Sequence, residues 1–192
     1  MFDRHPRNPR PRQTFLRHTY RGVMDILDDL ISIAFPVLIF GGIPMGLIGA
    51  VIILLHRNTA EDSRTSRPLG DTSAFLLATA AGVLTWVAWL SWGNHWNYDP
   101  WQVVGCVITG LLLVVGLGFL TRWWRTGPLA VALGGLLGFS TTWALDSGPS
   151  DSTGLWGVGY MMIVIGGGAA LGILAAAVIA VRSRGDQPRR AT

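Results

Sequence analysis

The chain has 192 residues, is half apolar by residue type and is only 14% charged, with a mean hydropathy of +0.42. Soluble domains carry roughly 25% charged residues, so a water-soluble globule and a disordered chain are both excluded in favour of an integral membrane protein. The net charge is +4; all 15 basic residues are Arg, which sit beside apolar segments and suit an anionic bilayer surface better than nucleic acid. Arg without Lys also points to a GC-rich, bacterial coding sequence.

Residues 1–12 carry Arg4, Arg7, Arg10 and Arg12 among Pro6, Pro9 and Pro11, which deny them a helix. They read as a disordered basic tail. Over 13–34, Leu16, Tyr20, Val23, Met24, Leu27, Leu30 and Ile31 recur at helical steps while Arg17, Arg21, Asp25, Asp28 and Asp29 fill other positions. That spacing predicts an amphipathic helix lying in the membrane interface. The polar leader is too long and the apolar run too extended for a signal peptide, so no cleavage is expected.

Five apolar runs follow, over 31–55, 74–92, 101–121, 129–145 and 155–181, and none contains Asp, Glu, Lys, Arg or His. A spanning helix needs about 17–25 apolar residues. The runs therefore predict an all-α polytopic transmembrane bundle of about five helices, with Pro128 opening the fourth. The segment His56–Ser73 reads as a solvated loop, and 182–192 as a short basic cytoplasmic tail.

Arginine marks the cytoplasmic side. Loops one to four and the C-terminal tail carry three, none, two, none and four Arg. This alternation places loops one and three and the C-terminus in the cytoplasm of an inner-membrane protein. Five crossings then put the six N-terminal Arg outside, where only Arg17 and Arg21 lie near the first span. A rival arrangement uses Pro36 and the break at Gly41, Gly42 and Pro44. There the first run splits into two half-helices that enter and leave on one side, at the cost of unpaired backbone at the bend.

Small residues recur every fourth position: Gly42 and Gly46 in the first run, Gly82 in the second, Gly134 and Gly138 in the fourth, Gly168, Gly172 and Ala176 in the fifth. Such faces let helices approach closely in lipid, within one bundle or against a partner. Leu171 is expected off that face. Tryptophans cluster at loops two and four and again at Trp123 and Trp124, forming interfacial belts; Trp86 and Trp89 are deep enough to pack between helices. Cys106 reads as a small buried hydrophobe.

Candidate chemistry is confined to His95, Asp99, Asp146 and Asp151 on the outer loops, an imidazole with three carboxylates. Their spacing is generic, and turn residues explain them as well as a metal does. The spans lack the buried ionisable groups that ion-coupled carriers use. Phosphate-loop, zincin and nucleophile-elbow motifs are absent. No catalytic residue, metal or cofactor is expected. The leading expectation is a non-enzymatic accessory or interaction subunit of a membrane assembly. It would contact the bilayer, anionic lipid head groups at its Arg-rich tails, and another membrane protein or itself, but no nucleic acid. The alternative is a transporter or channel-forming protein for an uncharged or apolar substrate, with its site at the Gly41–Pro44 break. A lipid-modifying membrane enzyme using the outer His and Asp ranks third.

Overall fold

The computed structural model describes residues 31–92, 98–151, 153 and 155–186, with the backbone alone at 60, 62, 63 and 186. The described chain is helical and contains five helices long and apolar enough to cross a membrane. Helix α1 covers 31–63, α2 Asp71–Leu90, α3 Pro100–Leu120, α4 Gly127–Ser150 and α5 156–186. The basic tail over 1–12 and most of the expected interfacial helix over 13–34 lie outside the described residues; 31–34 are the first turn of α1.

The first run does not break. Pro44 offers no N–H and its ring crowds the preceding turn, so the chain widens there. Val37–Gly42 is a π-helical turn, and the N–H of Ile43 reaches back to the Leu38 carbonyl. Helix α-geometry then resumes over Ile43–Ser63. The re-entrant hairpin is thereby corrected to one continuous helix, with Gly41, Gly42 and Pro44 at a wide turn. A second π-helical turn, Ile163–Gly167, interrupts α5.

The other helix ends follow local chemistry. Asp99 caps α3, with its side chain on the Gln102 backbone and the Gln102 side chain returned to the Asp99 N–H at 3.0 Å. Pro100 and Pro128 occupy first-turn positions of α3 and α4. Asp71 places a carboxylate at the N-terminus of α2, where the helix dipole favours it. Loop one is shorter than expected, because α1 runs on to Ser63 and α2 begins at Asp71.

Helix α4 is the hub: every other helix packs against it, and half of its spanning window is buried. Its closest partner is α2. A Cβ added to Gly138 would overlap the Thr79 carbonyl, one on Gly134 the Phe75 carbonyl, and one on Gly82 the Gly135 carbonyl. The two backbones touch through hydrogen atoms, and only glycine allows that approach. Around this contact lie two apolar clusters. Ala74, Ala78, Val114 and Val131 join α2, α3 and α4. Met45, Leu136, Ala144, Tyr160 and Val164 join α1, α4 and α5.

The other small residues sit differently. Gly46 and Gly172 face open space, Gly42 meets Leu38 of its own helix, and Gly168 meets only the Leu136 side chain. Ala176 is exposed whereas Ala175 is fully buried. The packed face of α5 therefore runs through Val164, Leu171, Ala175, Val178 and Arg182, and the expectation that Leu171 lies off it is corrected. Arg182 fixes that rotation. It is 4% exposed, and its Nη1 donates to Gly118 O and Thr121 Oγ1, its Nη2 to Thr121 O, all at 2.7–2.8 Å. A cation thus closes the carbonyl end of α3. It belongs to the core of the bundle end, not to a solvated tail.

Loops one and three meet at this same end. The described residues form no strand, but isolated bridges join Arg64 to Trp123 and Leu69 to Thr121. All the described Arg-bearing segments after α1 begins are therefore gathered at one end of the bundle.

Candidate functional site

Of the carboxylates singled out in the sequence, Asp99 and Asp151 are engaged at helix starts, and Asp146 lies within α4 rather than in a loop. Asp99 is the cap of α3 described above. Asp151 accepts from Thr153 N and Thr153 Oγ1 and, at 2.6 Å, from Trp156 N, and so caps α5. The Thr153 hydroxyl, with these backbone donors, holds its carboxyl below the usual range. Asp146 lies near Tyr98. Burial first, and then the Asp146 charge, push the Tyr98 hydroxyl up, against a hydrogen bond with Trp143. His95 lies outside the described residues, which contain no group of three His, Cys, Asp or Glu.

At the wide turn of α1, Gly41 is closed off whereas Gly42 is exposed. The Tyr160 hydroxyl rests on Gly41, where a Cβ would overlap it, and is hydrogen-bonded with Ser140 of α4. Tyr160 is 1% exposed and Ser140 is fully buried. The wide turn of α1 is thus a seat for a tyrosine at Gly41.

A polar network at the opposite end escaped the sequence reading. His56 Nδ1 lies 3.0 Å from Asp71 Oδ2 and 3.2 Å from Thr126 Oγ1, and Thr126 donates to Asp71 Oδ2 at 2.5 Å. The imidazole edge meets the Trp123 ring at 4.7 Å. Since the Thr126 hydroxyl gives its proton to Asp71, Nδ1 is the donor in the ion pair. The arrangement superficially suggests a nucleophile, a base and a carboxylate. However, Thr126 is 1% exposed and hydrogen-bonded, so no substrate reaches its oxygen. The network ties α1, α2 and α4 together. Its sequence signal was a His directly after one apolar run and an Asp just before the next.

The remaining feature is a cleft of about 320 Å3 between α2, α3, α4 and α5. Small residues make the room: Gly82, Gly110, Gly135 and Gly167 all line it, with Phe139 and Leu111 among the larger neighbours. Its lining has one hydroxyl, Thr85, which is engaged with Ala81 O at 2.8 Å, and one thiol, Cys106. Helices α3 and α5 are clamped where Gly118 meets Val178 and Arg182. Farther from that clamp, Val107, Leu111 and Ala170 on the cleft wall are exposed, so the cleft opens sideways between these two helices. Such a lining offers an ion or a sugar no replacement for its hydration. It suits hydrocarbon. Compared with known proteins, the chain matches no family model, and no curated protein or solved structure matches it.

Proposed function

We propose that the chain is a five-span protein of the cytoplasmic membrane that acts without catalysis, as an accessory protein holding an apolar chain or small uncharged molecule between its helices. The cleft carries this reading: its lining is almost wholly apolar and it opens along the flank that would face lipid. The distribution of Arg supports an orientation with loops one and three and the C-terminus in the cytoplasm and the N-terminus outside. The site of the transporter alternative moves from the Gly41–Pro44 turn, where Tyr160 covers Gly41, to this cleft.

The test is the apolar content of protein purified in mild detergent, read by mass spectrometry. Gly110 lines the cleft, and a Cβ there meets nothing within 4 Å among the described residues, so Gly110→Leu adds bulk to the cleft wall from an unobstructed position. The wild type is expected to retain one stoichiometric apolar species, and the variant to lose most of it at an unchanged Tm. Equal retention by both contradicts the reading.

The interaction role has separate support. Among the described residues nothing packs on Gly172 and Ala176 is exposed, leaving a small-residue face on α5 for a partner helix or a second copy.

A further inference from the structure

Three arginines come together where loop one meets loop three. Arg64, Arg67 and Arg122, with Thr65 and Ser66, line an open concavity of about 430 Å3. The backbone that carries them is pinned. Thr65 N–H donates to Arg122 O at 2.8 Å, Arg122 N–H to Leu69 O at 2.6 Å, and Leu69 N–H to Leu120 O at 3.3 Å. The Thr65 hydroxyl adds a bond to Arg122 O at 2.7 Å. Two of the side chains are held as well. Arg122 Nε donates to Arg67 O at 3.3 Å, and its guanidinium lies 5.7 Å from the Trp123 ring centre. The Arg67 guanidinium lies 5.9 Å from the centre of Phe119. Side chains already placed lose less entropy when a ligand arrives.

No carboxylate among the described residues compensates the charge of this concavity. Among the described residues none of the three Arg pairs with a carboxylate; the ion pair at this end is His56 with Asp71. Three like charges around one hollow repel, and an anion between them removes that cost. The forked guanidinium matches the oxygens of a phosphate in bidentate fashion, and a phosphate offers more charge and more acceptors than a carboxylate. Leu120, 49% exposed, and the Trp123 and Trp124 rings adjoin the pocket in sequence, a pattern expected at the depth of lipid phosphates.

We infer that the Arg64–Arg67–Arg122 pocket binds a phosphate group, carried by an anionic lipid head group or by a free phosphate. This does not rest on the cleft reading.

The test uses the full chain in neutral detergent, titrated with phosphatidylglycerol in mixed micelles and separately with inorganic phosphate. Arg64 is exposed, so Arg64→Gln leaves the fold intact, and Arg64→Gln combined with Arg67→Gln removes two of the three charges. Arg57→Gln and Arg184→Gln, which remove charges outside the pocket, are the controls. Each pocket substitution is expected to weaken phosphatidylglycerol binding about tenfold, the usual worth of a charged hydrogen bond. The controls are expected to weaken it less than about twofold, the residue of screened long-range attraction. Competition by inorganic phosphate assigns the site to any phosphate; lipid binding without competition assigns it to a head group. Equal weakening by pocket and control variants, or binding of neither probe, overturns the inference.

Discussion

At the scale of single residues, the fold depends on two kinds of contact that tolerate no substitution. The first is glycine against backbone. Gly138→Ala drives a methyl into the Thr79 carbonyl, and backbone cannot rotate away as a side chain can. We expect a loss of about 1–3 kcal/mol, as for overpacked cores, and a matching fall in Tm. Gly46→Ala, whose methyl meets open space, is expected to leave Tm unchanged. Equal effects from the two would contradict the close α2–α4 approach. The second contact is Arg182. Arg182→Met keeps much of the volume but strips the donor from Thr121 O, while Gly118 O keeps the Thr121 hydroxyl at 2.8 Å. An orphaned buried acceptor costs about 1–3 kcal/mol, so this variant is expected to be less stable than Arg184→Met. Sequence legibility divides along the same line. The four-residue spacing names Gly82, Gly134 and Gly138, all of which touch backbone. It fails on α5, where small residues populate several faces at once, so spacing alone selects none. The face is chosen by burial of Leu171, Ala175 and Val178 and by the bonds of Arg182, and these depend on the position of α3.

At the scale of elements, helix ends reflect capping chemistry while hydropathy reflects the surrounding solvent. Pro128 marks its helix start in the sequence, and Asp99, read there as candidate chemistry or a turn residue, proves to be the cap of α3 beside Pro100. The end of α1 is invisible to hydropathy. His56–Ser63 is polar yet helical, and its first residue faces Asp71 and Thr126. The Gly-Gly-Ile-Pro stretch misleads for a similar reason. Glycine and proline weaken an isolated helix, but a π turn accommodates Pro44 and Tyr160 fills the groove that Gly41 leaves. The cap of α5 gives a pH prediction. The folded pKa of Asp151 is lowered by its Thr153 and Trp156 donors, relative to an unfolded value of about 3.9. Its stabilisation is therefore present above about pH 4 and disappears as pH falls through the folded value. Thermal melts of the wild type and Asp151→Asn are expected to differ at pH 6 and to converge on acidification. A gap that stays constant to pH 3 would show that the carboxylate does not cap α5. For the exposed small-residue face, Gly172→Leu is expected to weaken self-association or partner binding in cross-linking while leaving the monomer's Tm unchanged. A large fall in Tm would instead place Gly172 inside the bundle.

At the scale of the whole molecule, the parts of the account share one premise: a five-helix bundle that crosses the bilayer with its arginine end inside. The lateral cleft is a ligand site only if α3 and α5 face lipid, and the phosphate pocket meets head groups only if loops one and three lie at the membrane surface. The apolar helix exteriors make the premise physically coherent, since Leu47 and Leu112 are about two-thirds exposed, at 65% and 67%. In water, surfaces of that kind aggregate. The measurement is cysteine accessibility in intact cells. In a Cys106→Ser background, single cysteines replace Tyr98, Thr153, Ser66 and Ser183 in turn, and an impermeant thiol reagent is added before and after permeabilisation. Tyr98→Cys and Thr153→Cys are expected to label from outside; Ser66→Cys and Ser183→Cys only after permeabilisation. Labelling of Ser66→Cys from outside, or of both ends alike, would contradict the five-span arrangement proposed for the chain.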